Sequence, residues 1–220
     1  MLTIGSVLEP EDVARVRDTL ARVRFRDGRE TAGSQARKVK ANRQADAEDP
    51  AVPPLRDFVR DALERNELFR LYARPARWSH ILFSRYGQGH AYGLHTDDAS
   101  MAAADGGRLR TDLSFTLFLS EPDTYEGGAL ILDGNDGERA VKLPAGAMVL
   151  YSTGLLHRVE PVASGERLAA VGWIQSQVRR QDEREILFDL ARVRSALPDS
   201  EPRLWLDRAT GALSRLWSDV

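Results

Sequence analysis

The sequence predicts an α+β protein in which a jelly-roll β-core lies between N-terminal helices and a C-terminal helical extension. The first observation is a run of short β-rich segments between residues 79 and 175, separated by glycine-bearing turns. Many short strands with regular turns are typical of a sandwich or barrel. The second observation is that amphipathic helical patterns flank this run. We therefore divide the chain into a helical support region (1–77), a β-core (78–177) and a helical extension (178–220).

Two amphipathic helices are expected in the support region. Residues 10–23 carry valine and leucine at helical spacing, and residues 55–63 repeat this pattern after a proline-rich breaker. Between them, residues 31–44 are polar and basic, with too few apolar side chains to form core. We expect this stretch to be either a mobile loop or short helix over a site, or a solvated connector.

The strands of the core are defined by their apolar runs and by the turns between them. Strands are expected at 79–86, 113–120, 128–132, 139–143, 147–151, 156–162 and 168–175. After residue 177 the helical pattern returns with a stripe formed by Ile186, Leu187, Leu190 and Val193, and Pro198 ends it. A last helix is expected over 201–217, in one or two pieces. These helices would either cover a sheet face or form a homodimer contact.

Composition excludes several classes of function. The 220 residues carry a net charge of −2 and include no cysteine, which excludes disulfides, thiolate metal sites and cysteine nucleophiles. Neither nucleic acid nor an anionic membrane is an expected partner of a chain with this charge. No apolar run approaches the roughly 20 residues that span a bilayer, and the first ten residues lack the pattern of a secretory signal. We expect a cytoplasmic protein.

The candidate metal ligands are His95, Asp97 and His157. His95 and Asp97 are two residues apart, so in an extended segment both side chains point to the same face. His157 follows 60 residues later in another β-rich segment, and a jelly roll can return such a strand to the first one. Two histidines and one carboxylate on one octahedral face suit non-haem Fe(II), because three positions stay open.

Other residues compete for these roles. Asp98 is the alternative carboxylate, but alternation turns it away from His95, which favours a turn-forming role or support of a ligand. His90 follows a glycine-rich turn and is expected to be a loop residue near the site. His80 is expected to pack along a strand.

Arg167 is the candidate anchor for a carboxylate cosubstrate. It begins the strand that follows His157, across a short turn, and arginine binds carboxylates bidentately. A dicarboxylate such as 2-oxoglutarate would then be held at both ends. The alternative is a surface arginine paired with Glu166 or Glu160. Tyr86 and Tyr92 are candidates to line the cavity, or are aromatic residues of the core or rim.

Several motifs together resemble a known family. The run RYGQGHAYGLHTDDA at 85–99 is similar to the iron- and 2-oxoglutarate-dependent dioxygenases of prolyl-4-hydroxylase type, and more narrowly to the bacterial PKHD-type hydroxylases. Further matching segments are DGRETAG at 27–33 with Val39-Lys40, LSFTLFLS at 113–120, YEGG at 125–128, YSTGLLHRV at 151–159 and GER at 165–167 before Trp173. The resemblance covers nearly the whole chain. One departure is Ser34, where the family pattern has an aromatic residue.

The resemblance implies a double-stranded β-helix core and a hydroxylase that uses Fe(II), 2-oxoglutarate and O2, with ascorbate as the reductant. It implies that His95, Asp97 and His157 hold the iron, that Arg167 anchors 2-oxoglutarate and that Tyr86 contacts it. The expected products are succinate, CO2 and a hydroxylated peptidyl or small-molecule substrate, whose identity the sequence leaves open. The alternatives are a jelly-roll metal enzyme, or a binding protein, that does not use 2-oxoglutarate.

Overall fold

The computed structural model describes residues 1–33 and 36–219. It contains helices before and after a β-rich core, as the sequence predicts. The helices are α1 (Pro10–Arg22), α2 (Ala36–Val39), α3 (Val52–Arg65), α4 (Glu67–Ala73), α5 (Gln181–Ala196) and α6 (Glu201–Trp217), with a 3-10 turn at Gly28–Thr31. The strands are β1 (Leu2–Ile4), β2 (Phe25–Asp27), β3 (Lys40–Ala41), β4 (Arg43–Ala45), β5 (Pro75–Trp78), β6 (Leu82–Tyr86), β7 (Ala91–His95), β8 (Ser100–Ala102), β9 (Arg108–Arg110), β10 (Leu113–Phe118), β11 (Tyr125–Gly127), β12 (Leu130–Gly134), β13 (Gly137–Val141), β14 (Met148–Ser152), β15 (Leu156–Val159), β16 (Val162–Gly165) and β17 (Arg167–Ser176).

Two antiparallel sheets form the core. The larger runs in the order β1-β14-β10-β17-β6-β4-β2, with β5 also paired to β17. The smaller runs in the order β13-β12-β15-β7-β3. From β6 to β17 the chain passes back and forth between the two sheets, with β6, β10, β14 and β17 in the larger and β7, β12, β13 and β15 in the smaller, as in a jelly roll. The predicted fold class is therefore confirmed.

The strand β10 shows how the larger sheet divides its two faces. Its residues are buried along the whole strand. Phe115 and Leu117 belong to the apolar cluster that packs under α1, α3 and α4. The alternate residues Ser114 and Thr116 face a cavity between the two sheets, and Phe118 joins a second, smaller apolar cluster there. The helices thus support the outer face, and the inner face is left for a site.

The structure refines several boundaries. The first 77 residues supply not only helices but also strands to both sheets. The strand expected at 79–86 begins only at Leu82, as β6, and a separate strand, β5, precedes it; His80 lies exposed between the two rather than packed along a strand. Ser34, the departure from the family pattern, lies outside the described residues.

The C-terminal extension is a helical pair. Helix α6 is continuous through Gly211 and contains no buried residue. Helix α5 buries Leu187 and Phe188, while Ile186 and Val193 of the expected stripe are exposed. No helix in the described part of the chain is long and apolar enough to cross a membrane.

Candidate active site

The fold brings His95, Asp97 and His157 together on the smaller sheet. Strands β7 and β15 are antiparallel neighbours, and His95 lies directly opposite His157. One potential ligand atom from each of the three side chains lies within 4.8 Å of the other two. The Asp97 carboxylate reaches both rings, with Oδ1 3.8 Å from Nε2 of His95 and Oδ2 3.6 Å from Nε2 of His157.

Backbone carbonyls fix the orientation of both imidazoles. Nδ1 of His95 lies 2.7 Å from the carbonyl oxygen of Gly93, and Nδ1 of His157 lies 3.0 Å from that of Leu155. Because a carbonyl oxygen only accepts, each Nδ1 carries the proton and each Nε2 presents a lone pair towards Asp97. Nε2 of His95 is buried and has no hydrogen-bond partner, as expected of an atom placed to bind a metal.

The electrostatics keep His95 in a metal-binding form. Burial, together with the neighbouring His157, lowers the pKa of His95 to about 4, so its ring is neutral at pH 7. The ring of Tyr92 stacks on that of His95 with 3.7 Å between centroids. The hydroxyl of Ser114 donates to Asp97 Oδ2 over 2.8 Å, which leaves Oδ1 free of that bond. Ser114 was not predicted from the sequence.

The competing residues do not join this cluster. Asp98 is exposed, and its carboxylate lies against Gly33, so the alternation argument is confirmed. Nδ1 of His90 accepts a hydrogen bond from the backbone N–H of Gly87 and closes the turn before β7. His80 lies at the rim of the cavity.

Arg167 is buried at the start of β17, where it lies opposite Tyr86 of β6. Only 2% of it is exposed. Its guanidinium carbon lies 5.2 Å from the ring centroid of Tyr86 and 5.3 Å from that of Phe118. Nε has no hydrogen-bond partner. Among the described residues, no carboxylate lies within 4.0 Å of the Arg167 side chain.

The alternative of a surface arginine paired with Glu166 or Glu160 is wrong. Glu166 instead pairs with Arg85 at 3.3 Å. The turn at Gly128 allows Arg167 its buried position, because a Cβ there would come within 3.3 Å of Arg167 Cδ and closer still to Val162. Gly128 also has a φ of +64°, which other residues rarely adopt.

Tyrosines surround the guanidinium. Burial raises the pKa of Tyr86 and of Tyr125, so both phenols keep their protons and can donate to an anion. The hydroxyl of Tyr125 is buried beside the guanidinium of Arg167, which offsets part of the pKa increase due to burial, although the two groups do not meet the geometry of a hydrogen bond. Tyr86 was predicted as a site residue. Tyr125 was noted in the sequence analysis only as part of the YEGG motif, and no role was predicted for it.

A single cavity of about 480 Å³ contains both the His95–Asp97–His157 cluster and Arg167. One of its walls was not predicted. Lys40, Asn42 and Gln44 are all buried and line the cavity, while the residues between them are more exposed. Residues 40–44 therefore cannot be a solvated connector. The signal in the sequence is their period-two spacing, here with polar side chains on the buried face.

The donor set fits a divalent iron. Two imidazole nitrogens and one carboxylate oxygen converge from one side, and the cavity leaves the other side open. This is the arrangement of a facial triad in non-haem iron oxygenases. Nε2 of His95 and Nε of Arg167, both buried without a hydrogen-bond partner, fit a metal and a carboxylate, respectively.

Comparison with known proteins agrees with this geometry. Residues 81–175 match the model of the 2OG-Fe(II) oxygenase superfamily. A PKHD-type hydroxylase of Maricaulis maris is 51% identical over 90% of this chain and 87% of its own. Another, of Hyphomonas neptunium, is 43% identical over 100% of both chains. A crystal structure of a Pseudomonas putida prolyl-4-hydroxylase shares the fold, with a TM-score of 0.53 and 23% identity over 80% of this chain and 91% of that one. The chain thus belongs to the PKHD-type hydroxylases of the 2OG-Fe(II) oxygenase superfamily, and it is an oxidoreductase of the dioxygenase class.

Proposed function

We propose that the protein uses Fe(II), 2-oxoglutarate and O2 to hydroxylate a peptidyl or small-molecule substrate, with release of succinate and CO2. The observation that carries this proposal is the buried guanidinium of Arg167, which lies in the cavity of the metal cluster without a carboxylate partner among the described residues. A buried charge without a partner destabilises a protein by several kcal/mol. A dicarboxylate that chelates the metal at its keto-acid end supplies the missing partner at its other end.

Each predicted site residue has a role in this proposal. His95, Asp97 and His157 would hold the iron through both Nε2 atoms and a carboxylate oxygen. Arg167 would bind the distal carboxylate of 2-oxoglutarate by charge-assisted hydrogen bonds, and the protonated hydroxyl of Tyr86 would donate to the cosubstrate. When bound, iron and 2-oxoglutarate supply the oxidising chemistry, in which decarboxylation of the cosubstrate is coupled to hydroxylation of the substrate.

The remainder of the protein contributes positioning. The carbonyl oxygens of Gly93 and Leu155 hold the imidazoles in the tautomer that binds a metal. The hydroxyl of Ser114 orients the carboxylate and itself lies 3.1 Å from the hydroxyl of Thr153. Such supporting bonds set the geometry and basicity of the ligands.

The surroundings of Arg167 also separate the candidate functions. A jelly-roll metal enzyme or binding protein without 2-oxoglutarate would leave this buried charge without an anion. The proposed cosubstrate accounts for it, for the protonated phenol of Tyr86 and for the shared cavity. These features favour the dioxygenase over both alternatives.

The test is turnover of 2-oxoglutarate by the iron-loaded protein. With Fe(II), ascorbate as the proposed reductant and a library of peptides and small molecules, we expect succinate formation that rises with a suitable substrate. Arg167→Met should raise the KM for 2-oxoglutarate roughly 100-fold or more, because it removes a buried charged partner. Arg85→Met is the matched control, because Arg85 lies on the neighbouring strand and pairs with Glu166 outside the cavity.

Two results would contradict the proposal. The first is an iron-loaded protein that consumes no 2-oxoglutarate; the second is an Arg167→Met variant with the KM of the original protein. A cytoplasmic location, expected from the sequence, stays a prediction that cell fractionation can test.

A further inference from the structure

Lys40 is a second buried cation that lines the cavity and forms no ion pair with a described carboxylate. It is 7% exposed, and its ammonium donates to the hydroxyl of Thr31 over 3.2 Å and lies 5.1 Å from the ring centroid of Tyr92. In the described part of the chain, no carboxylate lies within 4.0 Å of it. Two carboxylates, Asp97 and then Asp27, raise its pKa only from a distance; Asp97 belongs to the metal cluster and Asp27 is paired with Arg29. Burial lowers the pKa of Lys40 to about 8, so the amine is still mostly protonated at pH 7.

Asn42 lies on the same wall and is also unsatisfied. It is 4% exposed, and neither its amide nitrogen nor its amide oxygen has a hydrogen-bond partner. Its side chain lies beside the hydroxyl of Tyr86, where it offsets part of the pKa increase due to burial, but the two do not meet the geometry of a hydrogen bond. Gln44, the next inward residue, differs because it contacts the hydroxyls of Thr31 and Ser84. Buried polar groups are normally paired, so the free groups of this wall point to a ligand.

The charge balance of the loaded site shows which ligand is missing. This step rests on the proposed function. The two positive charges of Fe(II) and the one of Arg167 are balanced by the single negative charge of Asp97 and the two of 2-oxoglutarate. The remaining charged groups at the cavity are Asp98 and Arg108, which are opposite in sign. Lys40 is then left as an unbalanced positive charge in a buried wall.

The position of Lys40 separates it from the cosubstrate anchor. The ring of Tyr92 lies next to both Lys40 and His95, whereas Arg167 contacts Tyr86 and Phe118. Lys40 is therefore close to the metal cluster but has different neighbours from Arg167. An anion bound at Lys40 would lie near the reacting centre.

We propose that Lys40 and Asn42 bind a carboxylate of the molecule that is hydroxylated. The substrate class is therefore a small molecule or peptide with a free carboxylate near the hydroxylated carbon. The ammonium provides the charge, and the Asn42 amide donates a second hydrogen bond. The other possible source of a carboxylate is the keto-acid end of 2-oxoglutarate, and the experiment separates the two.

The test uses the anaerobic Fe(II) protein and isothermal titration calorimetry. The probes are a panel of N-acetyl amino acids and their matched amides, titrated in the presence of 2-oxoglutarate. We expect the best carboxylate probes to bind at least roughly tenfold more tightly than their amides. Lys40→Met should weaken the binding of the carboxylate probes roughly tenfold to hundredfold, in keeping with the loss of a charged hydrogen bond. Lys40→Arg should retain most of the binding.

A second variant and titration of 2-oxoglutarate itself complete the experiment. Asn42→Asp, which places a carboxylate on the same wall as Lys40, should remove the preference for carboxylate probes over their amides. This variant also tests the inference if Lys40→Met does not fold. Binding of 2-oxoglutarate itself to the Lys40→Met protein should stay within roughly threefold of the original. If Lys40→Met instead weakens the binding of 2-oxoglutarate, the carboxylate that Lys40 binds belongs to the cosubstrate and the inference is wrong.

Two more outcomes are decisive. Equal or undetectable binding of carboxylates and amides to the original protein would overturn the inference, as would carboxylate binding that Lys40→Met does not change. If the carboxylate probes depend on Lys40 but the iron-loaded protein does not bind 2-oxoglutarate, the proposed function fails while the Lys40 site stands.

Discussion

Replacing Lys40 by methionine should stabilise the metal-free protein at pH 7. Burial lowers the pKa of Lys40 from 10.5 to about 8, which corresponds to about 3 kcal/mol of destabilisation in the protonated state. Methionine keeps the apolar stem but loses the hydrogen bond to Thr31 and the contact with Tyr92. These contacts together contribute about 1 kcal/mol. The variant should therefore be more stable by about 2 kcal/mol.

The stability advantage of Lys40→Met over the original protein should decrease as the pH rises. Below pH 8 Lys40 is protonated in both the folded and the unfolded state, so the full penalty of burying its charge is present. Between pH 8 and 10.5 the unfolded chain binds a proton that the folded chain lacks, so the stability of the original protein rises with pH. The advantage of Lys40→Met should shrink across this window and disappear above it.

The assay is urea unfolding of both proteins at pH 7 and pH 10, with the metal removed by a chelator. Lys142→Met is the control, because Lys142 is only half-buried and donates to the carbonyl of Tyr125 over 2.8 Å; it should lower stability by about 1 kcal/mol. The reasoning would be refuted if Lys40→Met were less stable than the original protein at pH 7. It would also be refuted if the two proteins differed in free energy of unfolding by the same amount at pH 7 and pH 10. A gain in stability with a loss of ligand binding is the expected signature of a functional residue.

Three further predictions concern the metal cluster and the helical extension. Ser114→Ala should weaken Fe(II) binding about 10- to 100-fold in a metal titration, because it removes the bond that orients Asp97; an unchanged affinity would contradict this. Asp97→Asn should abolish both Fe(II) binding and succinate formation, and Asp98→Asn, the matched control, should retain both. The exposed Leu204 and Leu216 of α6 lead us to expect a homodimer through the C-terminal helices. Light scattering should then show a dimer that Leu204→Glu dissociates, and a monomeric original protein would contradict this.

The metal cluster could be predicted from the sequence because its determinants are local. The two-residue spacing of His95 and Asp97 sets their common face, and turns around β15 place His157 on a strand of the same sheet. Alternation also separated Asp97 from Asp98 correctly. What the sequence does not contain is the register, which places His157 directly opposite His95 and Arg167 opposite Tyr86.

The wall at residues 40–44 could not be predicted because its polar side chains face the interior while neighbouring apolar side chains face solvent. Val39 is 42% exposed while the adjacent Lys40 is 7% exposed, so apolar periodicity indicates the wrong face. The stretch crosses from the smaller sheet, where Lys40 pairs with Tyr92, to the larger one. Polar side chains face inward there because the interior is a ligand cavity rather than an apolar core. Inverted burial of this kind is expected at functional sites.

The most direct test of the central claim is a crystal structure of the protein with Mn(II), as a stand-in for Fe(II), and 2-oxoglutarate. We predict one ion bound by Nε2 of His95, Nε2 of His157 and a carboxylate oxygen of Asp97, each at about 2.0–2.3 Å. The distal carboxylate of 2-oxoglutarate should accept hydrogen bonds from the guanidinium of Arg167. An ion bound elsewhere, or a cosubstrate carboxylate that does not contact Arg167, would contradict the account.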